Sequence, residues 1–277
     1  MALEAAIRGL RERTGRWKYA RRLRRKLRDW VARSGPPHWQ ATRDDLAFRY
    51  LRGDGIEIGA LYSPLRVPPA ARVRYVDHAS GDELREIYPE HDWLMAPDVI
   101  DEGERLGKFE DGSLDFVIAN HMLEHAEDPI EALHHFLRVL RPGGILFLTL
   151  PDARHSFDGR RERTTVEHLL RDHREGPEVS RRQHYEEWAR IIECVPEDQV
   201  ARRADEFAAQ GARNHFHVWE LDTFLAFLVA LRPPADIEAA QVTGYEFAVI
   251  LRKNPGRRWP EDASALPQRI ASAPSRR

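Results

Sequence analysis

Residues 110–152, EDGSLDFVIANHMLEHAEDPIEALHHFLRVLRPGGILFLTLPD, alternate between strand and helix patterns. An acidic-Gly-Ser turn precedes LDFVIAN (114–120), whose continuous apolar character is typical of a buried strand. The DP dipeptide begins a helix, and LRPGG ends that helix and leads into a second apolar strand, GILFLTL (144–150). A strand, a helix and a strand in this order predict a parallel strand pair with a crossover helix, the repeating unit of α/β folds.

The same alternation extends to both sides of this stretch. Further candidate strands are GIEIG (55–59), VRYVD (73–77), WLMAPDVI (93–100), DIEAAQV (236–242) and YEFAVIL (245–251). A helix, ELDTFLAFLVAL (220–231), is predicted before the last two strands and ends ahead of two prolines. The pattern predicts an α/β, Rossmann-like fold with a seven-stranded, mostly parallel sheet whose last strand is antiparallel.

Three segments interrupt or flank this pattern. Residues 151–215 are polar and rich in Arg, Glu and His, and their helical spacing predicts a helical insertion after strand five that covers the carboxyl edge of the sheet. Residues 1–35 predict a separate N-terminal basic helix, and residues 36–253 form the main domain. Residues 254–277, which are rich in Pro, Ala, Ser and Arg, predict a disordered tail.

The charge of the chain is unevenly distributed. Residues 1–35 carry twelve Lys and Arg against three acids, although the formal net charge of the whole chain is −2. The main domain is therefore acidic, which makes nucleic acid an improbable partner. Apolar residues recur in the basic segment at helical steps, at Trp17, Ala20, Leu23, Leu27 and Trp30. Residues 1–33 would thus contact an anionic membrane surface or an acidic partner, or alternatively pack their apolar side on the chain's own domain.

Cysteine content and hydropathy indicate the compartment. The single cysteine, Cys194, has no partner for an internal disulfide, and no apolar run approaches the roughly 18 residues that a membrane span needs. The N-terminus is charged and lacks the apolar stretch of a signal peptide. We therefore expect a cytoplasmic protein, at most peripheral to the inner face of the membrane.

The segment GDGIEIGALYSPL (53–65) has features of a nucleotide-cofactor loop. Gly59 follows the first strand, where the backbone must approach a ligand, but Leu61 and Ser63 occupy positions where further glycines are usual. An acid about twenty residues further on should reach the ribose hydroxyls, and Asp77 has this spacing. Several prolines between the first two strands leave little room for a helix there.

Residues 110–152 resemble the class I S-adenosylmethionine-dependent methyltransferases, in their methyltransferase type 11 branch. More narrowly, GIEIGALYSPL, YVDHAS and RRQHYEEW are similar to a bacterial subgroup found near polysaccharide-biosynthesis genes, and this likeness extends from about residue 45 to residue 252. The resemblance implies S-adenosylmethionine as the cofactor. It also implies an enzyme that transfers a methyl group to a small-molecule or glycan acceptor.

The resemblance also implies roles for individual residues. It implies that Glu57 and Gly59 lie at the methionine end of the cofactor and Asp77 on the ribose. Asp101 would lie near the adenine amine. Asn120 and His121 would lie beside the sulfonium. Each acid also has a plain structural alternative: Glu57 as a cap at the strand end, Asp77 as a turn residue, and Asp101 as the N-cap of a helix.

A hydroxyl acceptor benefits from a general base, and position suggests candidates. The segments that should lie over the carboxyl edge contain Asp152, His155, Asp158, His184, Tyr185, His215 and His217. We predict His155 or His217 as the base, because an imidazole with a pKa near 6.5 accepts a proton near neutrality. The same region is rich in arginine, at Arg154, Arg160, Arg161 and Arg163. These side chains would suit an anionic acceptor, or would simply form a solvated loop.

The sequence HMLEH (121–125) matches the H-x-x-E-H pattern of zinc proteases, in which two histidines one helical turn apart bind the metal. Here the first histidine directly follows a strand and the second precedes a turn. We therefore expect no metal, and expect His125 to be a buried, hydrogen-bonded histidine that fixes the turn.

These observations predict O-methylation of a glycan or related metabolite by an S-adenosylmethionine-dependent enzyme. Two alternatives remain open. A nucleotide-sugar or NAD-dependent enzyme with the same fold is disfavoured by the missing G-x-G-x-x-G. A non-catalytic partner protein with a degenerate pocket is compatible with the missing glycines.

Overall fold

The computed structural model describes residues 38–259. The predicted basic helix at residues 1–35 and residues 260–277 of the predicted tail lie outside the described residues. The first six residues of that tail are described, and they pack on the domain. Asn254 N donates to Pro234 O at 2.8 Å, and Trp259 lies 5.6 Å from the ring of His134.

A seven-stranded sheet forms the centre of the molecule. Its strands are β1 (Gly53–Ile58), β2 (Ala71–Asp77), β3 (Val99–Ile100), β4 (Leu114–Asn120), β5 (Leu140–Pro151), β6 (Ala235–Thr243) and β7 (Glu246–Lys253). The spatial order is β3-β2-β1-β4-β5-β7-β6, and β7 runs antiparallel to both of its neighbours. The predicted fold class is confirmed, including the antiparallel last strand.

Helices cover both faces of the sheet. They are α1 (His38–Tyr50), α2 (Gly81–Ile87), α3 (Pro129–Val139), α4 (Val166–Glu175), α5 (Glu178–Glu187), α6 (Glu197–Gln210) and α7 (Leu221–Leu231). In β4, Val117 packs into the core with α3 and α7, whereas Phe116 and Ile118 pack into the core with α1. A strand covered on both faces needs apolar side chains at successive positions, which explains the continuous apolar run.

Strand β3 is much shorter than predicted. Only Val99–Ile100 pair with β2, whereas the prediction covered residues 93–100. Pro97 has no N–H to donate to a ladder, and the amide of Met95 donates to Leu61 O at 2.7 Å, in the loop after β1. Residues 93–98 therefore form a loop attached to the β1 end. Helix α1 was not predicted, because its sequence is polar except near Leu46.

Residues 151–215 are largely helical. Helices α4, α5 and α6 lie within this segment, and a π-helical turn at Trp188–Ile192 extends α5. A small separate core, which includes Tyr185, Phe207 and Phe216, holds them together. In the described part of the chain, no helix has the length and apolar character that a membrane crossing requires.

Candidate active site

Strand register places the predicted cofactor residues in one row. Ile58, the last residue of β1, pairs with Val76 of β2 and with Ala119 of β4. The next residue of each strand, which is Gly59, Asp77 or Asn120, therefore lies on the same carboxyl edge. The strand order changes direction between β1 and β4, and ligands of open α/β sheets bind at such a switch point.

Gly59 turns the backbone at the end of β1. Its φ is +63°, a left-handed conformation that favours glycine, and a Cβ added there would meet nothing within 4 Å. Leu61, two residues on, also has a positive φ of +46°. The loop backbone at Gly59 is thus open to an approaching ligand although the further glycines are missing.

The two aspartates predicted to contact the cofactor differ in how many of their carboxylate oxygens already accept hydrogen bonds within the described chain. Asp77 Oδ1 accepts a hydrogen bond from His78 N at 2.8 Å, and no hydrogen bond of the described chain uses Oδ2. This oxygen is suited to a ribose hydroxyl. In contrast, Asp101 accepts from Glu102 N at 2.9 Å and from Lys108 N at 2.8 Å, one with each oxygen. This arrangement supports a structural role for Asp101, although the residues that follow it form turns and not the helix that it was expected to cap.

Glu57, two residues before Gly59 in β1, is hydrogen-bonded to Asn120 of the row. Both carboxylate oxygens of Glu57 are 3.0 Å from Leu65 N, and Asn120 Nδ2 donates to Oε1 at 3.2 Å. Thr149 Oγ1 in turn donates to Asn120 Oδ1 at 2.9 Å. Burial raises the pKa of Glu57 to about 7. The two side chains fasten the loop that follows β1 to the sheet.

His121 follows directly after β4 and is partly exposed. Its φ is +49°, and its Nε2 lies 2.5 Å from Glu246 Oε2, at the start of β7. Its Nδ1 lies 3.6 Å from Glu124 Oε1. Burial lowers the pKa of His121, but the hydrogen bond to Glu246 and the charge of Glu124 outweigh burial and raise it overall. Strained histidines paired to a carboxylate are typical of functional sites.

The two histidines predicted as bases differ in their exposure to solvent. His155 is exposed in the turn after β5, where its backbone N donates to Asp152 O at 2.9 Å. His217 is 1% exposed, and Nε2 lies 3.3 Å from Glu127 O. Burial, with His184 beside it, holds the pKa of His217 well below its ordinary value. An acceptor cannot reach a side chain so deeply buried, which argues against His217 as the base.

Most of the clustered arginines are neutralised by carboxylates. Arg154 pairs with Asp152 at 2.6 Å, Arg161 with Asp158 at 2.8 Å, and Arg163 with Glu220 at 2.7 Å. Arg160 is exposed. The expectation that these side chains attract an anionic acceptor therefore loses its support, because three of the four charges are already compensated.

The HMLEH segment does not form a zinc-protease helix. Residues 123–125 form a single 3₁₀ turn, and His121 turns toward Glu246. His125 Nδ1 lies 3.0 Å from Arg213 O and 3.2 Å from Asn214 O. The expectation that His125 is hydrogen-bonded is confirmed, but its side chain is only partly buried and is bonded to residues far along the chain. Sequence analysis missed Glu246, since nothing in the YEF segment links it to a residue 125 positions earlier.

Comparison with known proteins identifies the family. A family model described as a methyltransferase domain matches residues 19–192. The chain belongs to this methyltransferase family. Its membership confirms the predicted class of enzyme, and S-adenosylmethionine as the cofactor.

A curated relative of the methyltransferase is named an uncharacterized 37.1 kDa protein in transposon TN4556, from Streptomyces fradiae. It is 34% identical over 100 residues, a stretch that covers 36% of the methyltransferase and 28% of the relative. The methyltransferase thus matches little more than a quarter of the length of that protein.

The methyltransferase is also similar in fold to solved structures. One is a SAM-dependent methyltransferase from Aquifex aeolicus, at 12% identity and a TM-score of 0.39, covering 74% of this chain and 84% of that one. Another is a possible histamine N-methyltransferase from Thermotoga maritima, at 14% identity and a TM-score of 0.45, covering 86% and 100%. A third is a SAM-dependent methyltransferase from Methanosarcina mazei, at 16% identity and a TM-score of 0.42, covering 74% and 95%.

Proposed function

We propose that the methyltransferase transfers a methyl group from S-adenosylmethionine to a hydroxyl group of a glycan or a related metabolite, with His121 as the general base. The observation that carries this proposal is the His121–Glu246 pair, which stands on the carboxyl edge of the sheet in the same row as Gly59 and Asp77. A base at this edge lies where the acceptor must approach the bound cofactor.

Different residues of the chain would bind the cofactor and accept the proton of the acceptor. When bound, the cofactor supplies a methyl group activated by its sulfonium charge. Asp77 Oδ2 would accept from the ribose, and the open backbone at Gly59 would admit the methionine end. With Nε2–H donating to Glu246, the Nδ1 lone pair of His121 accepts the hydroxyl proton, and the carboxylate of Glu246 stabilises the imidazolium that forms.

A cavity beside this edge supports a polar, uncharged acceptor. It has a volume of about 280 Å³ and lies between the loop after β3 and the helical segment. Two ion pairs line it: Arg181 with Glu127 at 2.6 Å, and Arg213 with Glu104 at 2.8 Å. Such pairs offer hydrogen-bond donors and acceptors without a net charge, which suits sugar hydroxyls better than a phosphate or a carboxylate.

The glycan acceptor and the cytoplasmic location in this proposal are supported by the sequence. The narrower resemblance of GIEIGALYSPL and RRQHYEEW to polysaccharide-associated methyltransferases supports a glycan acceptor and a cytoplasmic location. Transfer of a labelled methyl group into a fractionated glycan and lipid extract tests this directly. Labelled product in a hydroxyl-bearing glycan fraction would support it, and labelling confined to protein or nucleic acid would contradict it.

Cofactor binding gives the first prediction. Replacing Asp77 with alanine should weaken S-adenosylmethionine binding by about 1.5–3 kcal/mol, the usual loss for a hydrogen bond to a charged group. Titration calorimetry measures this. Asp82→Ala is the matched control, because Asp82 pairs only with the exposed Arg85 among the described residues. No binding by the parent protein would point to the degenerate partner protein, and equal affinity in both variants would remove Asp77 from the site.

A second prediction concerns the basic segment. Deleting residues 1–33 should leave cofactor affinity unchanged and abolish binding to anionic vesicles at low salt, because charge attraction of this kind is screened as ionic strength rises. Vesicle co-sedimentation compares the two proteins. Equal sedimentation would refute membrane attachment, whereas loss of folding on truncation would favour packing of this segment against the domain.

A further inference from the structure

The carboxylate of Glu124 is buried and has no hydrogen-bonding partner in the described part of the chain. Its side chain is 1% exposed, and neither oxygen accepts a hydrogen bond from another residue of the described chain. Two imidazole nitrogens face Oε1 instead: His121 Nδ1 at 3.6 Å and His215 Nε2 at 4.0 Å. Burying an ionised carboxylate in this way is strongly unfavourable unless a cation or a proton compensates it.

His125 and His215, which group with Glu124, each hold a proton on the nitrogen that points away from a shared ion. His125 Nδ1 lies 3.0 Å from Arg213 O, and a carbonyl oxygen can only accept, so Nδ1 carries the proton. His215 Nδ1 lies 2.7 Å from Asp158 Oδ2, and Asp158 is itself held by Arg161 at 2.8 Å. In the neutral form of both rings, Nε2 therefore carries the lone pair. A backbone carbonyl or carboxylate behind each ring is the usual support of metal-binding histidines.

We propose that Glu124, His125 and His215 bind a zinc ion through one carboxylate oxygen and two Nε2 atoms. One potential ligand atom from each residue lies within 4.8 Å of the others, and the two rings are 4.6 Å apart at 84°. Zinc bonds of about 2.0–2.2 Å require ligand atoms about 3.3 Å apart, which small side-chain rotations supply.

This site uses the HMLEH segment differently from a protease. Glu124 serves as a ligand, whereas His121 is not one of the ligands and pairs through Nε2 with Glu246. Three protein ligands leave a fourth coordination position for water, as in zinc sites with two histidines and a glutamate. The ion would join the turn after β4 to residues 213–217, which follow α6, and so would hold the helical segment against the sheet edge.

A neighbouring group of histidines provides the matched control. His168, His184 and His217 also lie close together, next to Asp172. Hydrogen bonds account for most of this group: His168 Nε2 lies 3.1 Å from His184 Nε2 and 3.0 Å from Asp172 Oδ2. Arg171 donates to His168 Nδ1 at 3.2 Å, which places the proton of that ring on Nε2 and blocks it as a ligand atom.

The test measures zinc itself. The full-length protein is stripped with a chelator, then titrated with zinc by calorimetry, and bound metal is counted by elemental mass spectrometry. We expect one zinc per chain, an affinity at least 100-fold weaker in Glu124→Gln, and an unchanged affinity in His184→Gln. Zinc should also raise the melting temperature of the parent and of His184→Gln, but not that of Glu124→Gln.

Three results would overturn the proposal. They are failure of the stripped parent to bind zinc, equal affinity in Glu124→Gln, and loss of zinc in His184→Gln alone. If Glu124→Gln does not fold, His125→Gln replaces it, with the same expected loss. The parent protein can also be tested alone, by adding cobalt in place of zinc and recording the visible absorption spectrum. The absorption of a four- or five-coordinate ion supports the site, and the weak spectrum of hydrated cobalt contradicts it.

Discussion

Replacing His121 with glutamine is expected to lower kcat about a hundred- to ten-thousand-fold, the usual cost of losing a general base. Affinity for S-adenosylmethionine should change only a few-fold, because Asp77 and the Gly59 loop remain. His155→Gln is the control, since His155 is an exposed histidine in the turn after β5. Single-turnover rates with any acceptor found would decide between them. A large loss in His155→Gln with a normal His121→Gln would return the role of base to His155.

The pH dependence of kcat/KM tests the same assignment. A base works in its neutral form, so the rate should rise with pH and level off above the pKa of His121, which Glu246 and Glu124 raise above its ordinary 6.5. Arg43, 3.7 Å from Glu246 Oε2, acts in the opposite direction. Glu246→Gln should move the rising limb to lower pH and reduce the plateau. A profile that is flat from pH 5 to 9 in the parent would exclude a histidine base.

Replacing Arg161 with alanine is expected to lower the free energy of unfolding by about 3–5 kcal/mol, as for other buried ion pairs that lose one partner. The Arg161 side chain is fully buried and bridges Asp158 at 2.8 Å and Glu187 at 2.7 Å. Its removal leaves the Asp158 carboxylate buried with one fewer cation beside it. Urea unfolding followed by circular dichroism measures the loss.

The adjacent Arg160 gives the control for this change. Arg160 is exposed, so Arg160→Ala should shift stability by no more than about 0.5 kcal/mol, as is usual for surface positions. Equal unfolding midpoints in Arg160→Ala and Arg161→Ala would show that the buried bridge adds nothing to stability. Sequence alone could not distinguish Arg161 from Arg160 in importance. Only the fold shows that Arg161 is the one that contacts buried carboxylates.

The row of strand ends could be predicted because it depends on local signals. Asp77 follows Gly59 at a spacing set by one loop and one strand, and parallel strands end on the same edge. The predicted length of β3 was wrong for a local reason as well. The apolar residues 93–96 resemble a strand, but Pro97 and the contact of Met95 with the loop after β1 keep them out of the sheet.

The partners of His121 and His215 could not be predicted in this way. Glu246 reaches His121 only because β7 inserts between β5 and β6 and starts where β5 ends, a matter of register between antiparallel strands. Glu124 and His215 meet because residues after α6 return to the turn beyond β4, where Phe216 N donates to Glu124 O at 2.8 Å. Such long-range contacts leave no periodic signal in the sequence.

The position of β7 also determines when the site can form during synthesis. The carboxylate that orients His121 belongs to the final strand, so a nascent chain that has emerged only as far as β5 holds the cofactor row without the group that supports its base. Closing a contact over 125 residues is slow compared with forming local turns. The His121–Glu246 pair can therefore form only after β7 has been synthesised and has entered the sheet, whereas the residues of the row are all synthesised earlier.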